Sequence, residues 1–210
     1  MWVCCFDLET IPCLETLARL HGLDQIDDQT AEDLLGGKFP KLPLHKIVVL
    51  GSLWGEFVDG SWEVRSLDVP HIGQVTEAQM ISDFSAKLLE RRPTLVSFNG
   101  NGFDLPVLRY RAMINGIAAP GIQDEYFKRY STLHVDLCDH LANYEARGKI
   151  GLDDLSKMMG LPGKPEGIDG SKVWQAVRDG RIQDVANYCA SDVGATFELW
   201  RRYEGFRGRS

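Results

Sequence analysis

The sequence predicts an α/β domain of five strands with flanking helices, and two observations carry that prediction. Short β-branched or apolar runs alternate along the chain with stretches whose apolar residues recur at helical spacing. A chain of 210 residues that is 44% hydrophobic is also sufficient for one sizeable core.

The elements follow in order. Trp2 to Phe6 is a buried strand that runs into Asp7-Leu8-Glu9-Thr10. Pro12 to His45 is the least regular part: a helix around Leu14 to Leu20, an acidic stretch, then the turn-rich Gly36-Gly37-Lys38-Phe39-Pro40. Ile47 to Trp54 is a second strand, and Asp59-Gly60 turns the chain so that Trp62 to Leu67 returns as its hairpin partner. Thr76 caps a helix reaching about Glu90, with Met80, Ile81, Phe84, Leu88 and Leu89 facing inward. Pro93 introduces a fourth strand, Thr94 to Phe98. The helix after Asp104 carries Val107, Leu108, Arg111 and Ile114, with Pro106 tolerated in its first turn. Leu133 to Leu137 is a short fifth strand. Asp153 to Met159 is a short helix ended by Gly160, and Asp184 to Tyr203 is a long final one. Arg207 to Ser210 should fray. No repeat or linker-like tract interrupts the chain, so residues 1–210 are expected to form a single domain.

Composition narrows the function. The formal net charge of -7 argues against broad nucleic-acid binding through a basic surface, so any such partner needs a local basic strip. Cys4, Cys5, Cys13, Cys138 and Cys189 form no C-x-x-C pair and read as buried thiols in a reducing compartment, with zinc not expected. No apolar run approaches the ~20 residues of a membrane span, and the first one lacks a basic leader. A cytoplasmic location is the expectation.

Three acidic motifs stand out. Asp7 and Glu9 alternate with Leu8, so on a strand both carboxylates project to one side. A lone D-x-E pair is commonly just solvated. Asp104 closes Phe98-Asn99-Gly100-Asn101-Gly102-Phe103-Asp104, where a helix N-cap and a metal ligand are equally good readings. Tyr188 and Asp192 lie one helical turn apart, beside a stripe of Val185, Cys189, Val193, Phe197 and Leu199 that can supply the buried face. Four carboxylates from three segments make chemical sense if they converge on divalent cations, which prefer oxygen ligands and serve phosphodiester cleavage.

Together the three motifs resemble the DEDD superfamily of 3′–5′ exonucleases, in its tyrosine branch. The likeness is to bacterial predicted exonucleases similar to the proofreading domain of family-B DNA polymerases. It covers nearly the whole chain, least certainly Pro12 to His45, and Leu152-Asp153-Asp154-Leu155 looks like the helix before the third motif. The histidine branch would place its base at Asn187, whereas Tyr188 stands at the tyrosine position. His134 and His140 are then assigned surface or turn roles, and Asp136 a capping or supporting one.

The resemblance implies a ribonuclease H-like, mixed five-stranded sheet. It also implies two Mg²⁺ or Mn²⁺ ions held by Asp7, Glu9, Asp104 and Asp192, with Tyr188 orienting the attacking water. Thr10, Asn99 and Phe103 become substrate contacts, Phe103 by packing on a base, although a core role for Phe103 stays open. Lys164, Lys172 and Arg178 are candidate phosphate contacts. The implied reaction releases nucleoside 5′-monophosphates from the 3′ end of nucleic acid, with single-stranded DNA favoured through the proofreading likeness. The alternatives are an inactive nucleic-acid-binding module on the same fold and an endonuclease, whose products would include internal fragments.

Overall fold

The computed structural model describes residues 1–161 and 169–208. Five strands, β1 (Trp2–Pro12), β2 (His45–Val58), β3 (Ser61–Asp68), β4 (Thr94–Ser97) and β5 (His134–Asp136), form one sheet in the order β3-β2-β1-β4-β5. The first three are antiparallel and β1, β4 and β5 are parallel, giving the mixed sheet. The helices are α1 (Leu14–Leu20), α2 (Asp28–Leu35), α3 (Glu77–Arg91), α4 (Asp104–Ile114), α5 (Leu137–Leu141), α6 (Leu152–Met158), α7 (Val173–Arg178) and α8 (Ile182–Phe206).

β1 does not end at Phe6. It runs through the acidic motif because β2 pairs with it as far as Pro12 opposite His45, with a register shift between Glu9 and Thr10. The β2–β3 turn places Asp59 and Gly60 at φ of 50° and 85°, the left-handed pair that a tight hairpin needs. Thr76 caps α3 by accepting from the Gln79 N–H, but Leu89 is 43% exposed and leaves the inward stripe. The acidic stretch expected after α1 is instead helix α2. Asp27 caps it by accepting from the Thr30 N–H, and Gly36 ends it in the left-handed region.

Alternation along β1 sorts the core into two layers. Val3 and Cys5 face the side packed by Val185, Cys189, Val193 and Phe197 of α8. Cys4, Phe6 and Leu8 face Met80, Ile81 and Phe84 of α3 with Leu105 and Leu108 of α4. Asp7 and Glu9 continue the first of these parities, which directs them toward α8. Glycine lets α8 sit close to β2: a β-carbon on Gly51 would stand 2.6 Å from Cys189 Sγ, and one on Gly55 2.9 Å from the Phe197 ring. On the other layer, buried Glu77 accepts from Arg111 at 2.6 and 2.7 Å and from the Ile47 N–H at 2.7 Å, tying α3 to α4 and β2. All five cysteines are buried and unbridged. Among the described residues no helix is long and apolar enough to cross a membrane.

Candidate active site

The site grows from the place where the central strand loses a neighbour. β4 pairs with β1 only from Val3 to Cys5, so beyond that point β1 has no ladder on this side. The Leu8 N–H is satisfied instead by Asp104 Oδ1 at 3.0 Å. That bond fixes the second motif against the first. Asp104 is the first residue of α4, the cap position being Phe103, so its side chain does not serve as the N-cap. Its carboxyl is 5% exposed, and burial drives its pKa up to about 7, with two backbone hydrogen bonds pulling the other way and Asp136 adding to the rise.

The loop before Asp104 is shaped to deliver it. Asn99 takes φ of 67°, and a β-carbon on Gly100 would lie 2.4 Å from Ser97 Oγ. Asp136 accepts from the Asn99 N–H at 2.9 Å and the Asn101 N–H at 2.8 Å, and it caps α5 through the Asp139 N–H. It therefore props the loop, as a supporting residue would. Burial raises its pKa. His134 departs from the surface or turn role expected of it, since it opens β5. It is buried, its Nδ1–H donates to the Tyr126 carbonyl at 3.0 Å, and its Nε2 accepts from the Ser97 hydroxyl at 2.8 Å. His140 is half-buried and meets the Tyr203 hydroxyl at 3.1 Å.

The third motif arrives from α8. The Cys189 thiol reaches Asp7 Oδ2 at 3.6 Å, and atoms of Asp7, Glu9 and Cys189 lie within 4.8 Å of one another. Burial raises the thiol's pKa far above its ordinary value. Tyr188 and Asp192 flank Cys189 and line the same cleft as Asp7, Glu9 and Thr10, a space of about 860 Å³. Asp104, bonded to the Leu8 N–H, is not among the cleft's lining residues. Asn99 is exposed and is not among the cleft's lining residues.

Thr10 and Phe103 belong to the cleft through a residue that sequence patterns did not flag. His45 Nε2–H donates to the Pro40 carbonyl at 3.1 Å, so Nδ1 accepts from the Thr10 hydroxyl at 2.9 Å. Burial lowers the His45 pKa. The Phe103 ring meets His45 edge-on at 5.0 Å, and Phe39 lies 5.8 Å from Phe103. Two helices complete the rim: Trp174 Nε1–H donates to Asp28 at 3.2 Å, and Arg178 pairs with Glu32 at 2.7 Å, joining α7 to α2. Of the expected phosphate contacts, Arg178 is thus engaged with Glu32 and Lys172 with Asp169 at 3.0 Å. Lys164 lies outside the described residues.

Comparison with known proteins gives consistent results. A family described as "Predicted 3'-5' exonuclease related to the exonuclease domain of PolB" matches residues 37–210. A DNA polymerase of Pyrococcus glycovorans is 27% identical over 158 residues, covering 66% of this chain and 20% of the polymerase. The catalytic polypeptide of DNA polymerase epsilon from Candida glabrata is 28% identical over 140 residues, 62% of this chain and 6% of that protein. The chain thus spans a fifth or less of these curated relatives. The solved structure of the family B DNA polymerase from the hyperthermophilic archaeon Pyrobaculum calidifontis aligns with a TM-score of 0.65 at 19% identity, over 96% of this chain and 24% of that one. That likeness is one of fold, ribonuclease H-like.

Proposed function

The chain belongs to the family of predicted 3′–5′ exonucleases related to the exonuclease domain of PolB, and on that premise we propose that it is a metal-dependent 3′–5′ exonuclease. Its substrate in this reading is a single-stranded DNA end, and its product a nucleoside 5′-monophosphate. The observation that carries the proposal is the Leu8 N–H bond to Asp104, together with the Cys189 contact to Asp7. The first ties Asp104 to β1 and the second seats α8, which carries Asp192, against Asp7, and both support the reading.

The donor set suits a hard divalent cation. Asp7, Glu9, Asp104 and Asp192 offer oxygen ligands, and the raised pKa of buried Asp104 marks a carboxyl that gains from a positive neighbour. Two such cations would supply an activated water and charge neutralisation at the phosphate. The protein's own part is positioning. Asp136 and Leu8 hold Asp104 in place, and α8 presents the Tyr188 hydroxyl to orient the water. Phe103 offers its ring to the terminal base. In this reading Tyr188 orients the water and does not abstract its proton.

The decisive experiment is a time course on 3′-ended DNA and RNA, single- and double-stranded, with Mg²⁺, Mn²⁺ or a chelator. Mononucleotides should accumulate from the first minutes on single-stranded DNA and stop with chelator. Internal fragments as early products, or turnover that the chelator does not touch, would overturn the reading. Binding without any cleavage would favour the inactive-module alternative.

A further inference from the structure

Beside the acidic floor, the cleft carries an aromatic residue that none of the three motifs contains. Phe39 is 74% exposed, yet its surroundings are fixed. Pro40 follows it and restricts its backbone to extended conformations. Its ring stands 4.9 Å from His45, which is itself bonded at both ring nitrogens. Lys38, the preceding residue, lines the same cleft and forms no ion pair with another described residue. The other fully charged side chains of the described lining are Asp7, Glu9, Glu32, Asp33 and Asp192, all acidic. A phosphodiester entering this cleft therefore meets one cation among the described residues of the wall, and that cation adjoins the open aromatic face.

We propose that Lys38 and Phe39 form a nucleotide clamp, Phe39 stacking on a base of the entering strand and Lys38 neutralising the adjoining phosphate. Phe103 and Phe39 then offer two platforms, one from the loop after β4 and one from the segment before β2. Stacking tolerates any base, so the clamp selects for an unpaired end without reading its sequence. The inference rests on the exonuclease reading for its substrate class.

The probe is an oligonucleotide with 2-aminopurine as its 3′-terminal base and a hydrolysis-resistant phosphorothioate as its last linkage, mixed with the protein and Mg²⁺. Wild type and Phe39→Trp should quench the fluorescence, and Phe39→Ala should restore most of it. On an ordinary oligonucleotide Phe39→Ala should raise KM roughly tenfold or more with kcat little changed. Lys38→Gln should keep the quench but reduce the slope of log affinity against log salt by about 0.7, one phosphate contact on a single strand. Quenching by Phe39→Ala equal to wild type would overturn the clamp, as would a wild type that does not quench. If wild type cuts no nucleic acid at all, the exonuclease reading falls while the fluorescence comparison still decides the clamp.

Discussion

The Leu8 N–H shows what one residue contributes and what sequence patterns cannot carry. That Asp7 and Glu9 share a side was legible, because a strand alternates. That Asp104 bonds the first strand and does not cap its helix was not legible, since the deciding partner lies 96 positions away. The choice has a measurable signature. The Asp104 carboxyl has its pKa raised from 3.8 to about 7 in the fold, so the folded state holds its proton more tightly than the unfolded chain does. With chelator present, stability is therefore lost as pH rises from near 4 through 7, by up to roughly 4 kcal/mol. Asp104→Asn keeps an oxygen for Leu8 and removes the charge. In chelator at pH 8 it should melt above wild type, with the gap closing toward pH 4; parallel melting curves would deny that the buried charge matters. Asp7→Ala should fold normally and slow hydrolysis ~100-fold or more, and Tyr188→Phe should slow it by less while retaining cation binding. Initial rates decide this, and an unaltered rate removes that residue from the mechanism.

Among the elements, those with a strong apolar period were readable and those stabilised by remote partners were not. α3 and α8 announced themselves through their inward stripes. α2 had its cap, Asp27, and its terminating Gly36, but Ala31 is its sole fully buried residue, so the apolar signal that would confirm a helix is missing. α2 is held by partners on α7, 146 positions later. The docking of α8 also depends on something the helix itself does not show. Gly51 is the residue across from Asp7 on β2, and Cys189 packs where its side chain would be. Gly51→Ala should cost about 1–3 kcal/mol of stability by overpacking. The same displacement moves the turn bearing Tyr188 and Asp192 away from Asp7, so activity should fall further than stability predicts. Denaturant titration paired with rates on the folded fraction tests this; a drop in stability with full activity per folded molecule would refute the coupling.

At the scale of the molecule, the mixed sheet puts the ends of β1, β4 and β5 along one edge, and two buried groups, Asp104 after β4 and His134 at the start of β5, titrate in opposite senses. Burial lowers the His134 pKa from 6.5 to about 4, so its contribution is complete above pH 6.5 and is lost as pH falls toward 4, roughly 3 kcal/mol in all. Asp104 without a cation regains stability over much the same range. With chelator the two act against each other, so the acid decline in melting temperature should be shallow. Saturating Mg²⁺ should steepen the acid decline, and identical profiles in the two buffers would contradict the placement of the cation beside Asp104. The joining of α7 to α2 by Trp174–Asp28 and Arg178–Glu32 has a topological outcome. In the exonuclease reading this wall leads a strand in by its tip. Covalently closed single-stranded circles should be neither degraded nor able to compete with a linear strand of equal length, and effective competition would deny the wall that role.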